Sequence, residues 1–296
     1  VSGPVTQYDT SAPRPEGRPR GRRARRIIIV VVVLAAILTA ADFGAAAFAE
    51  HTVSQKTREQ FQLTQDPAVT VHGFPFLTQA LGGEYGHISL SAVGVPIQDI
   101  LRDVELKADL RDVDAPLSDL MGGRVEQVKI GLLEGSVKIK DSDIARVEPL
   151  TKIENLRIDP ADEDYVRNGG SDPEAPTTIE PGDEALDDAS AGVRMSGTLQ
   201  LAGEKLELYC FAMIELDGTA IHITPERLQF GNDGETTIVP PQVQKALLPN
   251  FKATVDAGSL PFEVTPKAVR VEQGAVILKG EAKNVTFAGA GATAGG

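Results

Sequence analysis

Val104-Glu105-Leu106-Lys107-Ala108-Asp109-Leu110 alternates apolar and charged residues without a break. A period of two puts Val104, Leu106, Ala108 and Leu110 on one face of a strand and the charges on the other, so the strand is buried on one side only. The pattern recurs in both directions. Ile88, Leu90 and Ala92 alternate with polar or small residues upstream. Downstream, Val128, Ile130 and Leu132 lead across Glu134-Gly135 into Val137 and Ile139, which alternate with lysines. Further alternating runs cover Leu199/Leu201, Leu206 through Leu216, Ile221/Ile223, Leu228/Phe230, Val269/Val271, Val276/Leu278 and Val285/Phe287. Hairpin turns are expected at Ala202-Gly203-Glu204, Asp217-Gly218 and Gln273-Gly274. Short links between amphipathic strands imply an antiparallel meander.

Helical signals are fewer. Leu77-Thr-Gln-Ala-Leu81-Gly82-Gly83 precedes the strand at Ile88, and Leu117-Ser-Asp-Leu-Met121-Gly122-Gly123 precedes the one at Val128. Apolar residues at i and i+4 share a helical face, and glycine supplies the left-handed stop. Pro241–Leu248 forms a third such piece. A longer helix is expected over Glu50–Gln65, with Val53, Thr57 and Phe61 about one turn apart.

The N-terminal region sets the compartment. Seven arginines between Arg14 and Arg26 precede the apolar run Ile27–Ala49. Positive charge resists translocation, so this side is expected to stay cytoplasmic and everything after Ala49 to lie outside. Ile27–Ala41 alone spans roughly 22 Å as helix, whereas the hydrocarbon core is ~30 Å thick. Extending the run to Ala49 makes it long enough to span. Two readings remain: a retained single-pass anchor continuing into the Glu50–Gln65 helix, or a secretory signal cleaved after Ala47-Phe48-Ala49. Residues 1–26 read as a disordered basic tail, 27–49 as the anchor or signal segment, 50–287 as one extracytoplasmic domain and 288–296 as a flexible tail.

The first 26 residues carry +5, and the whole chain −13, so the remainder carries −18. So acidic an exported domain would repel nucleic acid. Acidity concentrates in Asp159–Ala191, where Arg167 is the one basic residue apart from the flanks, and this stretch reads as a disordered loop within the domain. Cys210, the single cysteine, lies on the apolar face of Leu206–Ile214 and reads as a buried small hydrophobe.

No catalytic constellation emerges. The histidines His51, His72, His87 and His222 are scattered, and no nucleophile elbow or phosphate loop is present. The pairs Asp112/Asp114, Asp141/Asp143 and Asp162/Asp164 read as solvated surface, with Asp141-Ser142-Asp143 capping a short helix. No enzyme, metal site or cofactor is therefore expected. Two apolar proline motifs stand out instead: Gly73-Phe74-Pro75-Phe76-Leu77 and Ser259-Leu260-Pro261-Phe262. Proline cannot donate to a ladder, so both mark strand ends, where their hydrophobes either plug or gate the ends of a barrel.

Val69-Thr-Val71-x-Gly73-Phe74-Pro75-Phe76-Leu77-Thr-Gln, with Gly83 and the strand Ile88–Ala92, resembles the opening of the LmeA-like phospholipid-binding family of exported actinobacterial envelope proteins. The Arg-rich start, the single apolar segment and Leu260–Phe262 are similar as well; the resemblance spans roughly Ala40–Phe287 and leaves the acidic insert outside its pattern. It implies binding of phospholipid, phosphatidylinositol-type lipids included, in service of envelope glycolipid biosynthesis. The fold it implies is α+β and mainly β: a long curved antiparallel sheet packed on a long helix, forming an elongated, TULIP-like lipid-binding groove or barrel after an N-terminal transmembrane helix. A sheet that curls on itself must fill its interior with side chains or ligand. By position and apolarity, the lipid-contact candidates are Phe74, Phe76, Leu77, Ile88, Leu90, Leu260 and Phe262. The alternative is a non-catalytic envelope interaction or structural protein whose acidic loop engages an unidentified protein partner.

Overall fold

The computed structural model describes residues 20–97, 100–124, 128–148, 150–169, 188–201, 204–218, 220–232, 235–256 and 265–286. They fall into two compact units that divide between Gly44 and Ala45. Helix α1, Arg20–Phe61, runs without interruption through that division, merging the apolar run and the expected stalk into one element. Its first part exposes a continuous apolar surface, Ile27 through Leu38. Among the described residues this is the one helix long and apolar enough to cross a membrane.

The second unit is α+β and mainly β, but its strands form two sheets rather than one. In the first, β1 (Ala68–His72), β2 (Glu84–Ile97), β3 (Leu101–Asp114) and β4 (Lys129–Lys140) form a meander. β12 (Ala275–Thr286) and β11 (Thr265–Glu272) complete it in the order β1-β2-β3-β4-β12-β11. In the second, β5 (Ile153–Pro160), β6 (Ser190–Leu201), β7 (Glu204–Asp217) and β8 (Ala220–Asn232) form another meander. β9 (Glu235–Ile238) and β10 (Ala253–Asp256) both pair with β8. Every pairing is antiparallel.

Both glycine-terminated corners form. Helices α2 (Phe76–Gly82) and α3 (Leu117–Gly122) end at Gly83 and Gly123, with φ of 74° and 71°, where a side chain would be strained. The Gly83 carbonyl accepts the Ala115 N–H at 2.7 Å, so the two corners lie against each other.

Two main cores result. One joins Phe76, Tyr85, Ile88, Val113, Ile130 and Leu133 to the small residues Ala45, Ala46 and Ala49 of α1. The other packs the inner face of the second sheet, Ile158, Met195, Leu208, Cys210 and Leu228 among them, against Val269, Val271 and Val276 of β11 and β12. Cys210 is fully buried, and burial pushes its thiol up to about 12. The outer face of the first sheet is solvated and laced with ion pairs such as Lys140–Asp103 and Lys138–Glu272.

The structure departs from three further sequence expectations. First, the acidic stretch is ordered at both ends. β5 continues through Pro160, and Glu163–Asn168 forms helix α5 (α4 being the short Asp141–Ile144 turn). Asp162 caps α5 by accepting the Tyr165 N–H at 2.8 Å, while Tyr165 and Val166 pack with Phe211 and Met213 on the outer face of the second sheet. These apolar residues supply the burial that a charge tally overlooks. β6 starts at Ser190; residues 170–187 lie outside the described residues. Second, Asp143 is neither solvated nor a helix cap. It is 1% exposed and accepts the backbone N–H groups of Arg102 and Asp103, the latter at 2.7 Å, fastening the start of β3 to α4. Third, strict alternation places Leu132 with Ile130, whereas Leu133 joins the core.

That last shift is shared by four neighbouring strands. The inward pairs Tyr85/Ile88, Leu110/Val113, Ile130/Leu133 and Ala282/Val285 are each three residues apart instead of two. The phase of the alternation therefore reverses along one line across the sheet.

Candidate functional site

Between the two cores, the inner face of the first sheet carries a band that neither core covers. Its residues follow from the register. Leu90 opposes Ala108, Ala108 opposes Gly135, and Gly135 opposes Gly280, forming one transverse row across β2, β3, β4 and β12. Val69, which packs against the first core, and Pro266 extend this row at its two ends. All six residues are half-buried. The next row towards the first core holds the buried Ile88, Leu133 and Ala282; the next towards the second holds the half-buried Leu106, Val137 and Leu278.

The floor of the band is made of small residues. Large side chains at Leu90, Leu106, Leu110 and Val137 border Ala108, Gly135 and Gly280, so the surface is recessed where the small residues align. A Cβ built on Gly135 meets Leu133 at 3.7 Å, which places it on the same face as the first core. At ~4.8 Å between strands the four strands span about 14 Å. The recess carries no charge: the charged residues of these strands, Lys107, Asp109, Glu134 and Lys138, alternate onto the other face. An apolar recess of this kind suits acyl chains, each buried methylene contributing ~0.8 kcal/mol.

One polar group is enclosed in the first core, two rows from the recess. Tyr85, 1% exposed, has a hydroxyl without a hydrogen-bond partner in the protein, and burial raises its pKa. Among the described residues no group of histidine, cysteine and carboxylates is arranged to hold a metal ion.

The structure distributes the sequence-derived candidates unevenly. Leu90 lies in the recessed row and Ile88 in the buried row beside it. Phe76 is buried in the first core at 3% exposure, so it packs as a plug. Phe74 and Leu77 face outward, 62% and 40% exposed, away from the other three. Leu260 and Phe262 lie outside the described residues. The residues that sequence reasoning missed are the small ones, Ala108, Gly135 and Gly280. Their signal was present in the alternating runs, but their alignment depends on register across four strands.

No curated protein and no solved structure matches the chain. A family model described as LmeA-like phospholipid-binding matches residues 40–281, which includes the whole first sheet from β1 to β11 and most of β12. The chain therefore belongs to the LmeA-like phospholipid-binding family.

Proposed function

We propose that this protein is a membrane-anchored, non-catalytic phospholipid carrier of the bacterial cell envelope. Its domain lies outside the cytoplasmic membrane and takes lipid acyl chains into the recess along Leu90, Ala108, Gly135 and Gly280. The observation that carries this reading is the uncharged, half-buried band between two closed cores, in a chain whose family binds phospholipid. The apolar helix supports retention at the membrane, since its exposed run continues directly into a helix that shares the first core. Phosphatidylinositol-type lipids and a role in supplying envelope glycolipid biosynthesis follow from the resemblance of the Gly73–Leu77 motif.

The test is native mass spectrometry with lipid extraction on the full chain purified in detergent, beside a single-pass membrane protein prepared identically. Phospholipid retained at a fixed ratio by this chain, and not by the control, is the expected result and names the head group. A chain that stays empty after incubation with membrane lipids would overturn the carrier reading.

A further inference from the structure

The corner between β1 and β2 displays apolar side chains outward. Phe74 and Leu77 are 62% and 40% exposed, and Leu81, at 89%, is the most exposed large hydrophobic residue of the described chain. The eleven residues Gly73–Gly83 contain no charge, although 24% of the chain is charged. The display is held in a fixed shape. The Gln79 amide donates to the His72 carbonyl and accepts the Gly86 N–H, both at 3.3 Å, and Gly83 N–H closes α2 on the Gln79 carbonyl at 2.8 Å.

Its position is set by contacts with α1. Phe76 and Ala80, on the inward side of α2, pack in one core with Ala45, Ala46 and Ala49. The Val71 N–H donates to Glu50 Oε1 at 2.8 Å. Ala49 is the last residue of the apolar run that began at Ile27, and Glu50 is the first charge after it. The corner therefore sits where the chain leaves its apolar segment. Phe48, on that last turn of the run, is 64% exposed as well. Apolar and aromatic side chains at the boundary of a membrane-crossing helix occupy the head-group layer favourably.

We propose that the Gly73–Gly83 corner is a membrane-docking element: Phe74, Leu77 and Leu81 enter the interfacial layer of the bilayer that holds this chain's own apolar helix. This rests on the anchored-carrier reading and adds how the domain meets the lipid it takes up. Docking fixes the orientation of the domain on the bilayer, with the first core between the corner and the recess row at Leu90, six strand residues or ~20 Å beyond Glu84.

The test uses the full chain in phosphatidylcholine vesicles, with an environment-sensitive fluorophore on a single introduced cysteine. Leu81→Cys reports the corner, Leu34→Cys the apolar helix and Asp217→Cys the exposed β7–β8 turn. Cys210 is fully buried and stays unlabelled. Fluorescence at position 81 is expected to shift to the blue and to be quenched by lipids spin-labelled near the head group, while position 217 is unaffected. An unquenched position 81 overturns docking. A blue shift without quenching also overturns it, because a protein surface, such as a second copy, then covers the corner. Quenching at position 34 decides separately whether the anchor reading stands. As a second measure, Phe74→Asp with Leu81→Asp should slow phospholipid uptake from vesicles several-fold at an unchanged melting temperature. An unchanged uptake rate would count against docking.

Discussion

Asp112 and Asn284 lie in the same transverse row of the first sheet, two strands apart with Gly131 between them, and both have φ of 52°. The register places Gly86 at the other side of Asp112. Four strands thus meet the same line with two glycines and two residues in the left-handed region. Asn and Asp tolerate that region better than other side chains, and glycine is unrestricted. A crease of this kind turns the inward face by one residue in every strand at once, as β-bulges do singly. It runs through the first core, between the row of Tyr85, Val113, Ile130 and Val285 and the row of Ile88, Leu133 and Ala282 that borders the recess.

Asp112→Val should therefore lose stability by about 1–3 kcal/mol, since a β-branched residue at positive φ is strained. Asn284→Gly should be neutral or slightly stabilising, because glycine removes the penalty at some cost in chain entropy. Urea denaturation of both variants checks this. A neutral Asp112→Val would mean that the strand relaxes there and the crease does not hold the sheet's shape.

The crease also marks where the sequence becomes illegible. Strand identities were readable, because Val104 to Leu110 keeps its period on one side of the line. So were the two Gly-Gly corners, where the i, i+4 leucines and the following glycine act locally. Leu132 and Leu133 were not separable, since a phase reversal leaves two apolar neighbours and period counting takes the first. The recess was legible only in part. Leu90 was identified by apolarity, but an alanine and two glycines draw notice only when register aligns them. Likewise, Asp143 binds N–H groups some forty residues away, a long-range partnership no local spacing encodes.

Tyr85→Phe should stabilise the protein. The hydroxyl is buried without a partner, and an unsatisfied buried polar group costs about 1–3 kcal/mol. The ring keeps its packing with Ile130 and Val113, so only the desolvated oxygen is lost. A gain of about 1 kcal/mol in lipid-free protein is the expected result of chemical denaturation. A loss of similar size would show that the hydroxyl bonds within the folded protein.

Glu281 on β12 accepts a hydrogen bond from Lys267 and lies near Lys283, and these cations hold its carboxyl below the usual 4.5. A lowered folded-state pKa means that its contribution is present above pH 4.5 and is lost as pH falls through the folded value. The group is exposed, so the effect is small and screened by salt. Glu281→Gln should flatten the fall in melting temperature below pH 4.5 without altering the profile near neutrality. An identical acid limb in both proteins would show that the edge strand β11 gains nothing from this pair.

Gly135→Trp tests the recess itself. The glycine occupies the middle of the small-residue row, and a Cβ there meets its nearest atoms at 3.5 and 3.7 Å, which is ordinary contact. The added side chain projects over the half-buried Ala108 and Gly280, which leave room on either side. Indole would then occupy the volume assigned to an acyl chain. Retained phospholipid should fall at least about tenfold, because losing even two buried methylenes at ~0.8 kcal/mol each exceeds that factor. The melting temperature of the lipid-free protein should change little, since the added side chain meets the first core only at the edge of Leu133, at ordinary contact distance. Lipid extraction and thermal denaturation of the same preparation read both quantities. Unaltered lipid content in a normally folded variant would move the binding surface off the first sheet. A matching substitution on the outer face, Ser136→Trp, lies one residue away on the opposite side of the same strand and should leave lipid content unchanged. The difference between neighbours on opposite faces separates occlusion of the recess from a general effect of adding tryptophan.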